Sequence, residues 1–259
     1  MAEKSQDILS VCTEIGRILI SNGAEISRTE DTLSRIAGHY GVPDSDFFVL
    51  TNGILSSATD KDGTNAARVK FIPSNSANLA KVAAINQLSR EICRGKYTLD
   101  EVREKLKDID TLHSEPSLLL VGATALGSGA FTLLYGGRLG DALSALTAGL
   151  ILGLFIQFWA KKHLSKITTN ILGSALVSAV CLVFHHFGFS VNMNAMIAGS
   201  IIPLIPGVPF VNGIRDIANG DYLSGVVRIL DSVFVFICIA VGVGTVLSLY
   251  SNIRGGLSL

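Results

Sequence analysis

The sequence LLLVGATALGSGAFTLLY occupies residues 118–135 and opens an apolar tract that extends over residues 116–259. This tract has 144 residues, of which seven are Lys or Arg and four are Asp or Glu. Its longest apolar runs cover residues 118–135, 142–160, 167–187, 195–211 and 229–250. Several of these runs approach the length of about 20 residues that a helix needs to cross a bilayer. The tract therefore predicts a membrane domain with several spans.

Most of the charge lies before this tract. Residues 1–115 contain 14 Lys or Arg and 17 Asp or Glu, so the neutral total conceals two unlike parts. We expect a soluble domain at residues 1–115 and a transmembrane domain at residues 116–259. The slight acidity of the first part gives no reason to expect nucleic acid as a partner.

The chain opens with MAEKSQDILS, which lacks the basic region, apolar run and cleavage site of a signal peptide. The first domain is therefore expected to stay in the cytoplasm. The four cysteines are scattered, at Cys12, Cys93, Cys181 and Cys238. Because this spacing fits neither a zinc site nor a disulfide framework, no metal and no cofactor are predicted.

The first domain has the pattern of a small α+β fold. Residues 8–19 carry apolar side chains at helical spacing, and this helix should end at Asn22-Gly23. Ser27 and Glu30 have the spacing of a capping box, which would begin a second helix. Strand-like runs follow at residues 47–50, 54–59 and 68–72, with a hairpin turn at residues 60–65.

Two further helices complete the predicted domain. Ser74 or Ser76 can cap the first of them, which Gly95 ends. Thr98 and Glu101 have the spacing of another capping box, which opens a helix to about residue 112.

Lysines set the predicted orientation of the spans. Lys161, Lys162 and Lys166 lie between the second and third apolar runs, and positively charged loops face the cytoplasm. The fold class is therefore a mainly α membrane protein with five transmembrane helices, preceded by a small α+β cytosolic domain. The N-terminus is placed in the cytoplasm and the C-terminus outside the membrane. Gly149 with Gly153 predicts close helix packing within this bundle.

Residues 203–216 read PLIPGVPFVNGIRD, the densest group of helix-breaking and polar residues in the apolar tract. Proline removes a backbone donor, so the fourth span should be broken there. Broken backbone at membrane depth must be buried in protein or line a wet cavity. The segment is therefore predicted to border a polar pathway, with Pro206, Gly207, Pro209 and Asn212 as candidates. Pro209 suits the first turn of a new helix, whose N-terminus would favour an anion such as a carboxylate.

Four charged residues of the tract are further candidates, because charges in membrane segments are costly unless they are paired or wet. Arg215 and Asp216 follow the broken segment, while Arg228 and Asp231 lie three residues apart on one helix face. The alternative is an interfacial salt bridge, in which the arginine reaches water along its stem. For Arg228 a functional role and an interfacial salt bridge carry equal weight, whereas for Asp231 a functional role is favoured.

Arg28 and Glu30 are secondary candidates in the cytosolic domain, since they lie at a helix start with other charges. A solvated capping face is the favoured explanation for them, because surface charge pairs are weak. No residue of the chain is assigned a catalytic role. The sequence shows neither a nucleophile elbow nor a cluster of metal ligands.

Two segments resemble the threonine/serine exporter family. The opening motif of that family's cytosolic region resembles Gly23-Ala24 followed by Arg28 and Glu30. Its membrane signature resembles a longer pattern in this chain, which comprises Pro206, Gly207, Val208, Pro209, Gly213, Asp216, Gly220, Gly225 and Arg228. The resemblance covers nearly the whole chain.

The resemblance implies an exporter in the inner membrane of a bacterial cell. Its expected substrates are small carboxylate-bearing metabolites, either threonine and serine or succinate, and protons would drive the export. Because this chain ends after five predicted spans, it resembles the larger subunit of the two-subunit branch. A smaller all-membrane partner is then implied, and a homo-oligomer is a further option. In this reading Arg215 or Arg228 attracts the substrate carboxylate, and Asp231 or Asp216 couples to protons.

Two other classes remain open. The chain could be a membrane-anchored hydrolase with catalysis in its cytosolic domain, although five spans exceed what an anchor needs. It could also be a non-transporting assembly subunit.

Overall fold

The computed structural model describes residues 2–42, 44–59, 63, 65–73, 77–112, 116–189 and 191–256. The chain divides into two compact units. The first comprises Met1–Ser114 and Gly207–Leu230, and the second comprises Glu115–Pro206 and Asp231–Leu259. The compact units therefore do not follow the predicted division at residue 115, because residues 207–230 pack with the N-terminal part of the chain.

The first unit combines helices with a small sheet. Helix α1 covers Ala2–Ser21 and α2 covers Ile26–His39. Strands β1 (Ser45–Leu50), β2 (Gly53–Thr59) and β3 (Asn65–Phe71) form an antiparallel sheet in the order β1-β2-β3. Phe48 lies opposite Leu55 in the first pair of strands, and Leu55 lies opposite Val69 in the second. Helices α3 (Leu79–Cys93) and α4 (Leu99–Thr111) follow.

Local signals explain most of these boundaries. Gly23 ends α1 with a φ of +91°, a left-handed conformation that favours glycine. Thr98 and Glu101 form the predicted capping box at the start of α4. The predicted cap of α3 is wrong, because Asn78 accepts the hydrogen bond from Lys81 N–H. Ser74 and Ser76 lie outside the described residues, as does most of the turn at residues 60–65.

The predicted capping box at Ser27 and Glu30 is also wrong. The N-cap residue of α2 is Glu25, two residues before Ser27, and it makes no side-chain capping bond. The Glu30 carboxylate instead accepts a hydrogen bond of 2.9 Å from the backbone N–H of Val49 on β1. Glu30 thus joins α2 to the sheet.

An apolar core holds the first unit together. Ile15, Leu33 and Ile54 are at most 1 % exposed and come from α1, α2 and β2. Burial of a large aliphatic side chain contributes about 1.5–3 kcal/mol, so this cluster stabilises the first unit.

The second unit consists of apolar helices. Helix α5 covers Ser117–Leu134 and α6 covers Leu139–Leu154, which continues as a π-helix at Phe155–Ala160 and as α7 at Lys161–His163. Helix α8 covers Lys166–His186, and α9 covers Met193–Ile201 with a 3₁₀ turn at Ile202–Leu204. A Cβ atom at Gly149 would lie 2.9 Å from Thr124 O. The predicted close packing at this glycine is therefore confirmed, between α5 and α6.

Two helices follow the proline-rich break. Helix α10 covers Gly207–Ala218, and the 35-residue α11 covers Tyr222–Gly256. Neither helical segment includes Ile205 or Pro206, so the predicted break is confirmed, and Pro209 lies in the first turn of α10 as expected. Among the described residues, four helical stretches are long and apolar enough to cross a membrane, and the bent pair Met193–Leu204 and Gly207–Ala218 is a candidate for a fifth.

Candidate functional site

The candidate site lies within the first unit, where α10 and the start of α11 pack against the loop between α1 and α2. That loop, residues 22–25, has two backbone carbonyls that accept hydrogen bonds from side chains of the proline-rich region. Asn212 Nδ2 donates to Gly23 O at 2.8 Å, and an Arg228 guanidinium nitrogen donates to Ala24 O at 2.9 Å. The two segments behind the family resemblance thus contact each other directly.

Asp216 supplies the cap that α2 lacks locally. The backbone N–H of Ile26, the first residue of α2, donates to Asp216 Oδ1 at 3.2 Å. The first amides of a helix have no partner within the helix, and a carboxylate there is favoured by the helix dipole. A residue 190 positions away in the sequence therefore performs the role that Ser27 was predicted to perform.

A buried ion pair balances this carboxylate. Asp216 Oδ2 lies 3.0 Å from an Arg228 nitrogen, and the two side chains are 0 % and 11 % exposed. Buried charges are tolerated when they are paired and hydrogen-bonded. Because Arg228 also bonds to Ala24 O, one guanidinium joins α11, α10 and the loop.

Two further polar contacts join α10 to the start of α2, near the Asp216–Arg228 ion pair. Arg215 pairs with Glu25, the N-cap residue of α2, and the Arg215 side chain is 57 % exposed. Asn219 Nδ2 donates to Ser27 Oγ at 3.0 Å. The Arg215 side chain is therefore accessible to solvent, whereas the Arg228 side chain is largely buried against Asp216 and the Ala24 carbonyl.

Glycines allow α10 and α11 to approach closely at this site. A Cβ atom at Gly225 would lie 2.7 Å from Gly213 O, and one at Gly213 would lie 3.0 Å from Gly225 O. Both distances are shorter than ordinary contact, so the backbones meet at these two residues. The family resemblance included both glycines, but the sequence did not indicate that they face each other.

A cavity of about 770 Å³ opens beside the loop. Its polar lining includes Glu25 and Asp31 together with a larger set of cations and amides, which comprises Arg28, Arg35, Asn86, Arg90, Asn212 and Arg215. Gly207 and Val208, at the start of α10, line its apolar side. The lining carries four arginines against two carboxylates, so the cavity suits an anion.

The secondary candidates have different surroundings. Arg28 is exposed, lies 3.5 Å from Glu25 and lines this cavity. Glu30 is half-buried against β1, where burial raises the pKa of its carboxyl despite the hydrogen bond from Val49. The structure therefore brings Arg28, but not Glu30, to the cavity.

Asp231 belongs to the second unit and has another partner. Its carboxylate forms an exposed ion pair with Lys166 of α8. Arg228 and Asp231 were predicted to share one helix face, but Arg228 pairs with Asp216 and Asp231 pairs with Lys166. Within the second unit, Pro203 and Gln157 line a further cavity of about 400 Å³.

Sequence reasoning missed three residues that line the 770 Å³ cavity or a smaller cavity beside it. Asn86 and Arg90 of α3 and Arg94, its C-cap residue, recur every fourth residue, a spacing that places them on one face. That spacing was the available signal. It pointed to a polar face but not to the cavity that this face borders.

The apolar helices and the buried polar site define a multi-pass membrane protein with a small α+β unit. The profile of the family described as "Putative threonine/serine exporter" matches residues 10–250. The chain therefore belongs to the threonine/serine exporter family, which confirms the resemblance of its motifs. This is a family of transporters rather than of enzymes.

Several curated proteins are similar to this chain. The chain is 24 % identical over 254 residues to the "Threonine/serine exporter" of Corynebacterium glutamicum, a match that covers 92 % of this chain and 50 % of that protein. It is 23 % identical over 256 residues to the "Probable succinate transporter subunit YjjP" of Escherichia coli (strain K12), with 98 % of each chain covered.

A "Probable threonine/serine exporter" of Mycobacterium tuberculosis is 22 % identical over 247 residues, with 92 % of this chain and 45 % of that protein covered. The chain thus spans about half the length of the two relatives named as threonine/serine exporters. No solved structure matches it.

Proposed function

We propose that this chain is one subunit of a proton-coupled secondary transporter that exports small carboxylate metabolites of the threonine/serine or succinate type. The observation that carries the proposal is that the proline-rich segment is broken and that Gly207, Asn212 and Arg215 of its second helix line the 770 Å³ cavity. Discontinuous helices build the substrate sites of many secondary transporters. The names of the relatives support the same class of function and substrate.

The surroundings of the two arginines separate their roles. Arg215 is 57 % exposed and has one carboxylate partner, so it can exchange Glu25 for a substrate carboxylate. Arg228 is 11 % exposed and holds both Asp216 and the Ala24 carbonyl, so we assign it a positioning role. The remaining pathway candidates, Pro206 and Pro209, would keep the backbone open at the break.

We assign proton coupling to Asp216 in preference to Asp231. Protonation of Asp216 would remove the charge that holds Arg228 and weaken the acceptor for Ile26 N–H, which would release the loop beside the cavity. Asp231 has only an exposed partner, Lys166, so its protonation would change little around it. A conformational change coupled to a proton requires such a difference in contacts.

The proposed topology has five crossings, with the bent pair of helices as the fourth. Lys161, Lys162 and Lys166 place their loop in the cytoplasm together with the N-terminus, and the C-terminus outside. Helix α10 fits the cytoplasmic end of the fourth crossing, because Val211 and Ile214 are 48 % and 50 % exposed while Asn212 and Asp216 are buried. An apolar face turned outward is expected of a helix at the membrane surface.

A partner is part of the proposal. Because a relative that matches over 98 % of each chain is named a transporter subunit, we propose a second, smaller membrane subunit that completes the transporter. The exposed apolar side chains of the second unit, such as Leu126, Phe158 and Phe234, would contact lipid or this partner.

Counterflow in proteoliposomes tests the proposal. Labelled serine, threonine and succinate would be supplied to vesicles that contain this chain, with and without a candidate for the smaller membrane subunit. We expect uptake of at least one of these substrates, and a loss of about tenfold or more in Arg215→Gln, because one charge-assisted contact to substrate is lost. Arg103→Gln is the matched control, since Arg103 pairs with Asp7 and Asp100 on the surface.

Three outcomes would contradict the proposal. Uptake that is equal in Arg215→Gln and Arg103→Gln would reject the role of Arg215. Full uptake by the partner alone would favour an assembly subunit. Hydrolytic activity of the purified chain without any uptake would favour the membrane-anchored hydrolase.

A further inference from the structure

A second cavity in the first unit lies between α2 and α3. It measures about 370 Å³, which is within the usual range for small-molecule sites. Three arginines line it, together with neutral residues only, and the full lining comprises Thr32, Arg35, Asn86, Ser89, Arg90, Cys93 and Arg94. A small cavity with three guanidinium groups and no lining carboxylate has a strong positive potential.

The local partners of these arginines leave most of that charge uncompensated. Arg90 donates to the neutral amide oxygen of Gln87 at 2.8 Å. Among the described residues, Arg94 has no carboxylate partner. Arg35 pairs with Asp31 at 3.0 Å, but both side chains are more than 60 % exposed. An exposed pair contributes about 0–1 kcal/mol, so a bound anion can compete with Asp31 for Arg35.

The neutral lining residues limit which hydrogen-bond donors the cavity offers to a ligand. The hydroxyls of Thr32 and Ser89 donate to backbone carbonyls of their own helices, so they can only accept from a ligand. The available donors are therefore the three guanidinium groups and the amide of Asn86. Guanidinium groups bind carboxylate and phosphate oxygens in a bidentate manner.

We propose that this cavity binds a small dianionic metabolite, with either two carboxylates or one phosphate group. A dianion would neutralise two of the three charges and bridge α2 to α3 through Arg35, Arg90 and Arg94. The site goes beyond the proposed transport function, which assigns the substrate carboxylate to Arg215 and gives no role to Arg35, Arg90 or Arg94. The cavity shares Thr32, Arg35, Asn86 and Arg90 with the 770 Å³ cavity, so an occupant would also alter the anion-attracting wall of the larger one.

Cys93 provides a direct readout of occupancy. It is exposed and lines the cavity, whereas Cys12, Cys181 and Cys238 are buried. A neutral alkylating reagent such as iodoacetamide should therefore modify Cys93 first, and an occupant should slow this reaction. Burial raises the pKa of the Cys12 thiol to about 12, which suppresses its reactivity further.

The test uses the purified full-length chain in neutral detergent at low and constant ionic strength. Succinate, inorganic phosphate and acetate would be added separately, and the alkylation rate of Cys93 and the heat of binding would be measured. We expect succinate or phosphate to protect Cys93 at a concentration about tenfold or more below that required of acetate. Whichever dianion protects at the lower concentration identifies the ligand group.

Variants locate the effect. Arg90→Gln and Arg94→Gln should each weaken dianion binding about tenfold or more, and Arg103→Gln should leave it unchanged. Exposed arginines of α3 can be replaced without loss of the core, and circular dichroism would verify the fold. Equal protection by acetate and the dianions, or unchanged binding in both α3 variants, would overturn the proposal. Because no uptake is measured, failure here is independent of the transport assay.

Discussion

Replacement of Asp216 by Asn tests the contact on which the candidate site depends. Asn retains an oxygen that can accept from Ile26 N–H, but it removes the charge opposite Arg228. The Arg228 side chain is 11 % exposed, so its guanidinium would stay largely buried while losing the carboxylate that lies 3.0 Å from it. Loss of one member of a buried pair costs about 3–5 kcal/mol. A loss of about 3 kcal/mol corresponds to about 6 °C or more in melting temperature for a chain of this size.

The assay is thermal unfolding of the full-length chain in detergent, followed by circular dichroism. Asp231→Asn is the matched control, because its pair with Lys166 is exposed and should contribute only about 0.2–1 kcal/mol. The double variant Asp216→Asn, Arg228→Met should recover much of the lost stability, since it also removes the buried positive charge that Asp216 balanced. Equal melting temperatures for Asp216→Asn and Asp231→Asn would refute the reasoning.

Two further variants probe the same unit. Burial raises the pKa of Glu30, so its protonated form stabilises the folded chain below the ordinary glutamate pKa. This stabilisation is lost as the pH rises through the raised pKa. Glu30→Gln should therefore be more stable than the native chain at pH 7, and denaturant titrations at a series of pH values should show no such decline for it. Gly225→Ala should destabilise the chain by about 1–3 kcal/mol, because the new Cβ would lie 2.7 Å from Gly213 O. Gly122→Ala is the control, because a Cβ at Gly122 would have nothing within 4 Å. Equal melting temperatures for the two variants would contradict the packing argument.

Local signals predicted the elements of the fold well. Gly23 ends α1, Thr98 and Glu101 open α4, and the prolines near residue 206 interrupt the helices. Each of these effects depends on residues within one helical turn, so the sequence contains all the information. The π-helix at Phe155–Ala160 was not predicted, because no proline or glycine in that segment indicates it.

Non-local contacts could not be predicted in the same way. Ser27 and Glu30 have the spacing of a capping box, yet Asp216 caps α2 from 190 residues away. The spacing of Arg228 and Asp231 suggested one shared site, but their ion pairs involve different elements. Spacing along a helix identifies which residues share a face, but the partner of that face depends on tertiary packing.

The buried polar residues of α10 have a physical reason to be where they are. Asn212 and Asp216 would be costly in hydrocarbon. The Gly23 carbonyl of the loop accepts from Asn212, and the N–H of Ile26, the first residue of α2, donates to Asp216. In turn, the loop needs external partners, because its N-cap residue Glu25 makes no capping bond. Each segment therefore completes the hydrogen bonds of the other. A change that alters the charge of Asp216 acts on both segments at once, and for this reason we place proton coupling there rather than at Asp231.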